Sequence, residues 1–170
     1  MATTSAPNVI PAGTWKVDPT HSTIAFRVTD VTELFTTING HFEEFEGVIE
    51  AGERLEDTRI RGLIKVASLT THQEQRDAHL TSADFLDSER YPEITFDSTR
   101  AEPTEDGIVV HGTLTLKGTH QELELAGRVH GAGRYEAGGV DRLVIEAHTE
   151  LPFGPMRVEI NIDVTAVREQ

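Results

Sequence analysis

Residues 108–125 read IVVHGTLTLKGTHQELEL, and their alternation decides the fold class. Ile108, Val110, Leu114 and Leu116 share one phase against His111, Thr113 and Thr115. After Lys117 and Gly118 the pattern resumes, with Leu123 and Leu125 against Glu122 and Glu124. A period of two with one apolar phase describes a strand with one buried face, and two such runs across a two-residue glycine turn form an antiparallel hairpin.

The same rhythm extends in both directions. Towards the C-terminus, Val129 prolongs the second strand, the glycine-rich GAGRYEAGG (131–139) reads as a loop, and Leu143, Ile145 and Ala147 open another strand. The last run, RVEINIDVTAV (157–167), alternates Val158, Ile160, Ile162, Val164 and Ala166 against Arg157, Glu159, Asn161, Asp163 and Thr165. Towards the N-terminus, Ile94, Phe96 and Ser98 share a face, as do Ile60, Gly62, Ile64 and Val66, and Ile24, Phe26 and Val28. Between His41 and Glu50, Phe42, Phe45 and Ile49 fall on one side only if a bulge sits near Glu43 and Glu44. About eight one-sided strands joined by short turns predict an all-β antiparallel sheet, which hides its edges most simply by closing into a barrel, with a two-sheet sandwich as the alternative. An eight-stranded barrel is either filled by side chains or just wide enough for one small ligand.

One stretch breaks the rhythm. RDAHLTSADFLDSERYPEITF (76–96) follows Thr71 and Glu74, whose spacing matches a capping box, and residues 73–80 contain no Gly, Pro or β-branched residue. A short helix is therefore expected, then a second turn capped by Ser82, then a Tyr91-Pro92 corner that returns the chain to extended backbone. Ala78, Leu80 and Phe85 are expected to face down, so that residues of about 71–90 cover one end of the barrel. A closed barrel has no gap in its wall, so a ligand is expected to enter through that end.

Composition narrows the function. The 170 residues suit one domain, with residues 1–12 as a flexible arm and 13–170 as the barrel. Fifteen Lys and Arg against 29 Asp and Glu give a net charge of −14, which argues against nucleic acid and anionic bilayers as partners. The absence of cysteine excludes disulfides and thiolate sites. No run approaches a membrane span, so no stable membrane insertion is expected, and without a basic and apolar leader the expected location is cytoplasmic. No GxSxG elbow, phosphate loop, dinucleotide fingerprint, HxH or HExxH occurs, so no catalytic residue, cofactor or metal is expected. A hydrolase built on His21 and Ser22 is disfavoured, because neighbours on a strand point to opposite faces.

Four segments carry a family resemblance: WKVDPTHSTIAFRV, GHFEEFEGVIE, RDAHLTSADFLDSERYPEITFDST and GTLTLKGTHQELEL. With Asp18, His21, Ser22, Arg76, Asp77, His79, Leu80, Ser82, Phe85, Tyr91 and Pro92 in order, residues 13–168 resemble the YceI-like family of lipocalin-like barrels. The resemblance implies an apolar tunnel inside an eight-stranded antiparallel barrel, and a polyisoprenoid or related long-chain lipid as the bound molecule. The expected wall is Ile24, Phe26, Phe42, Ile64, Leu80, Phe85, Phe96, Gly112, Leu114, Leu116, Leu125, Phe153, Ile160 and Ile162. In a barrel of no known family the same residues would read as plain core, and glycines among them as bends. Many relatives carry Asp-Phe-Gly before the last strand, whereas this chain has Pro152, Phe153 and Gly154, so no role of that carboxylate is expected here.

The polar cluster expected at the rim is His21, Arg76, Asp77 and His79. Read structurally, Arg76 and Asp77 tie the helix to the rim through charged hydrogen bonds, and this is preferred to a role in holding a head group. The protein's acidity favours a neutral head group unless Arg76 and Arg90 converge. The expected function is non-catalytic binding, transport or storage of a hydrophobic small molecule, as a monomer or a homodimer. The alternative is an enzyme or stress-response factor acting on a hydrophobic substrate at the barrel mouth.

Overall fold

The computed structural model describes residues 9–30, 36–135 and 139–169. In chain order its strands are β1 (Gly13–Val17), β2 (Thr23–Asp30), β3 (Thr36–Phe42), β4 (Phe45–Ala51), β5 (Arg59–Lys65), β6 (Leu69–Thr70), β7 (Glu93–Pro103), β8 (Ile108–Leu116), β9 (Thr119–Tyr135), β10 (Val140–Phe153) and β11 (Met156–Arg168). Helix α1 is Glu74–Thr81.

Neighbouring strands run antiparallel in the order β1-β4-β5-β7-β8-β9-β10-β11, and β1 pairs β11 to close the ring. Eight wall positions result because β2 continues β1, β4 continues β3 and β6 continues β5. Along β11 the partner changes from β2 (Met156 opposite Asp30 through Asp163 opposite Thr23) to β1 (Ala166 opposite Val17 through Arg168 opposite Trp15). Thr165 bridges the change, accepting from Asp18 N at 2.8 Å and donating to Ser22 Oγ at 3.0 Å. The eight-stranded barrel expected from the alternation is therefore the arrangement found, and not the sandwich.

Local sequence explains the joins. Lys117 and Gly118 both take left-handed backbone, φ 51° and 73°, which matches a tight hairpin turn between Leu116 and Thr119. The interruption at Glu43 and Glu44 leaves Phe42, Phe45 and Ile49 all buried on one side. Two expectations change. Residues 131–135 of the glycine-rich segment prolong β9, with Tyr135 opposite Val140, so the loop shrinks to the stretch that includes 136–138, which lie outside the described residues. The arm expected over 1–12 is already packed at Ile10, which is fully buried, while residues 1–8 lie outside the described residues.

The ladder between β9 and β10 is incomplete. It runs from Tyr135–Val140 to Ala126–His148 and stops. Beyond it, residues 119–125 pair only with β8, and residues 149–153 pair only with β11. The wall thus parts towards the helical end, so entry through an end is not forced by the hydrogen-bond ladder. Pro152, which has no N–H to donate, sits on this free edge, where no β9 partner would need one.

The end remote from the helix is sealed by Trp15. Its ring is fully buried beside Ile10, Leu143 and Ala166; the indole N–H donates to Pro11 O at 2.9 Å, and the Arg168 guanidinium lies 4.6 Å from the ring centroid. Arg168 Nε lies 3.0 Å from Asp141 Oδ2 as an ion pair, and Nη1 donates to Ala12 O.

The other end is covered by α1 and the turn after it. Thr71 is not the N-cap, because left-handed His72 (φ 63°) turns the chain first and shifts the cap to Gln73, whose Oε1 accepts from Arg76 N at 2.7 Å. Thr71 serves as a fastening point. It donates its N–H at 2.8 Å and its hydroxyl at 2.5 Å to Asp77 Oδ1, and accepts from Arg76 Nε at 2.8 Å on Oγ1 and from Nη2 at 2.9 Å on O. Two consecutive charged side chains of the helix thereby grip one residue at the root of the lid. Ser82 ends α1, with its Oγ on His79 O at 2.6 Å; it also accepts from Asp84 N, but the turn it starts does not continue as a helix. Ala78 is exposed, leaving Leu80 and Phe85, joined by Leu86, as the residues that face inward.

Two outcomes follow from these ends. Trp15→Ala should lower the unfolding free energy by about 3–5 kcal/mol in urea titrations, the usual cost of deleting a buried tryptophan; a loss under about 1 kcal/mol would show that Trp15 does not hold the far end. Thr71→Val keeps the shape and removes the hydroxyl of the clasp. Amide exchange across residues 74–86 should then quicken about tenfold while β8 and β11 keep their protection. Equal loss in lid and strands would show that the clasp supports the whole barrel instead.

Candidate functional site

The inward phases do not fill the barrel. Two apolar chambers lie end to end, about 160 Å³ in the middle of the barrel and about 100 Å³ beneath the lid. Ile24, Ile64, Ile94, Leu114 and Ile160 line both and form the waist between them. Of the expected wall, Phe96, Leu125 and Ile162 border the deep chamber, and Phe26, Phe42, Leu80, Phe85, Leu116 and Phe153 border the lid chamber. The Phe26 and Phe42 rings meet at 5.3 Å, tilted by 49°.

Gly112 is the exception. It shares the inward phase, but a Cβ there would overlap the edge of the Phe96 ring and lie 2.6 Å from Asp97 O, so this glycine makes room for Phe96 and is not itself wall. The glycine that leaves space is Gly62, opposite Gly47 and Phe96, where a Cβ would meet nothing nearer than Glu46 O at 3.9 Å. Ser98, also on the inward phase, accepts from Ile60 N at 2.7 Å and repairs the ladder where β5 and β7 diverge.

The expected polar cluster does not assemble. Arg76 and Asp77 both bond to Thr71. His79 is exposed on the lid, edge-on to Phe85 at 4.8 Å and 3.6 Å from Asp84 Oδ2. His21 stands elsewhere, in the break between β1 and β2 beside Thr165, where Nδ1 lies 2.7 Å from Asp18 Oδ2. The hydrogen bond from His21 holds the Asp18 carboxyl below its usual range, helped by the N–H of Thr20. Arg76 and Asp77 thus belong to the fastening at the lid root, His21 to one in the wall, and His79 to neither.

Several wall residues lie outside the expected set, Ile94 at the waist among them, and the polar one on the inward phase is Thr149. Thr149 follows Leu143, Ile145 and Ala147 on the inward phase of β10 and precedes Leu151; it is 7% exposed and lines the deep chamber. The signal was available as a lone hydroxyl in a run of apolar odd-numbered positions.

Set beside known proteins, residues 15–167 match the model of the YceI-like domain. A UPF0312 protein of Photorhabdus laumondii is 33% identical, over 94% of this chain and 88% of its own length. Among solved structures, a mutant of the Campylobacter jejuni YCEI protein superposes with a TM-score of 0.72 at 22% identity, covering 79% of this chain and 87% of that one. A domain of Saccharophagus degradans described as polyisoprenoid binding has a TM-score of 0.59 at 13% identity, over 91% and 98% of the two chains. With its family model spanning nearly the whole barrel and a relative at this identity, the chain belongs to the YceI-like family.

Proposed function

We propose that this protein binds one long-chain isoprenoid or related lipid in the double chamber and carries or stores it without chemical change. The observation that carries the reading is the unfilled apolar interior. At ~24 cal/mol per Å³, leaving the deep chamber of about 160 Å³ empty costs about 4 kcal/mol, a large share of the ~5–15 kcal/mol that stabilises an ordinary domain. A sequence shaped for stability alone would place a larger residue at Gly62, where a Cβ would meet nothing nearer than 3.9 Å. Two chambers joined at a waist suit a flexible chain, and the apolar walls offer burial at ~25 cal/mol per Å² of lipid surface. The name of the Saccharophagus degradans domain supports the isoprenoid class.

The alternative of a reaction at the mouth draws no support from the rim, since Arg76 and Asp77 face Thr71 and His79 faces outward. Titration with a polyprenyl alcohol should saturate at one molecule per chain. Gly62→Leu should weaken that binding at least tenfold without lowering the melting temperature, because the new side chain occupies the deep chamber. Unchanged affinity in a folded Gly62→Leu protein would sink the reading.

A further inference from the structure

The walls of the two chambers differ in one respect. Beneath the lid, every side chain is aliphatic, aromatic or methionine. The deep chamber has the same character except for Thr149, whose side chain is buried on the inward phase of β10. Glu46, Arg61 and Thr95 also border this chamber, but they belong to the outward phase of their strands, with Glu46 and Arg61 exposed.

The Thr149 hydroxyl makes no hydrogen bond with any described residue, unlike the other threonines and serines that serve the architecture. Thr71 is gripped by the lid helix, Ser22 bridges Thr165 and Ser98 serves Ile60. A buried hydroxyl without a partner costs roughly 1–3 kcal/mol, and valine has the same shape without that cost. Thr149 also stands where the wall parts, one residue beyond the last β9–β10 pair, Ala126–His148, and opposite Ile160 at the waist.

Resting on the reading of a lipid carrier, we propose that Thr149 Oγ1 is the anchor for a single polar group of the ligand. The bound lipid then lies with its polar end in the deep chamber and its apolar chain running through the waist to the lid. The anchor also restricts the chemistry of that end. One hydroxyl can donate to a carbonyl or accept from an alcohol or amide, whereas an ionised head group in an apolar chamber lacks a counter-charge and is strongly disfavoured. The ligand class is therefore a long-chain lipid with one neutral oxygen-bearing end: an alcohol, ketone, quinone or amide. A diphosphate or a free carboxylate does not fit. The lid supplies no polar contact and acts only as an apolar cover over the tail.

The test compares a polyprenyl alcohol with the hydrocarbon of the same skeleton, each displacing a fluorescent acyl probe from wild type, Thr149→Val and Thr149→Ser. Wild type should prefer the alcohol about fivefold, equivalent to ~1 kcal/mol for one hydrogen bond. Thr149→Val should bind both ligands alike at an unchanged or raised melting temperature, and Thr149→Ser should restore the preference. An alcohol preference that survives in Thr149→Val, or equal binding of both ligands by wild type, overturns the anchor while leaving the lipid carrier intact. Binding of neither ligand by wild type overturns the carrier reading and the anchor with it.

Discussion

Strand β1 pairs on both edges, Gly13 to Lys16 with β4 and Trp15 to Val17 with β11, and together with β2 this double pairing turns a curved sheet into an enclosure. Without it, β4 and the last residues of β11 would present free edges at the end of the barrel that β2 does not reach, and the inward side chains there would face water. The strand is short, so its hold depends on what anchors it. Trp15, fully buried between Ile10 and the C-terminal strand and covered by Arg168, fixes its register from within. At the junction with β2, Asp18 and Ser22 fasten the chain to Thr165, with His21 bonded to Asp18, so that one wall position is built from two strands. His21, expected among the rim residues, is in this position part of the closure.

Closure at one end and a fastened lid at the other divide the labour of the fold. The far end is packed with a fully buried Trp, Ile and Leu, whereas the helical end rests on an eight-residue helix whose attachment is polar and concentrated at Thr71. Short helices owe their stability to docking, so opening here costs far less than unfolding strands. The same end is where the β9–β10 ladder stops. Weak cover and an incomplete seam coincide, so opening the interior at this end does not require breaking the closure that β1 maintains.

The barrel was legible in the sequence because its evidence is repeated: each strand states the same period of two, and a misreading at one bulge does not disturb the others. The Glu43–Glu44 bulge and the Lys117–Gly118 turn were readable for the same reason, since only one local geometry keeps their neighbours in phase. The lid was less so. Thr71 and Glu74 have the spacing of a capping box, but the left-handed turn at His72 depends on how the chain leaves β6, a tertiary circumstance that local spacing does not record. Gly112 and Gly62 are indistinguishable as letters on the inward phase, and the difference between making room for Phe96 and leaving a void appears only when the opposite strand is in place. Thr149 escaped notice because threonine is a good strand residue on either face, and its significance lies in lacking a partner.

Native mass spectrometry of the protein purified without detergent, followed by organic extraction of the same sample, bears most directly on the claim that the interior is a lipid site. A folded chain carrying one noncovalent adduct, released as a long-chain lipid with a single neutral oxygen-bearing end, is the predicted result. A folded chain that appears only at its bare mass, and remains so after incubation with a membrane lipid extract, would contradict it.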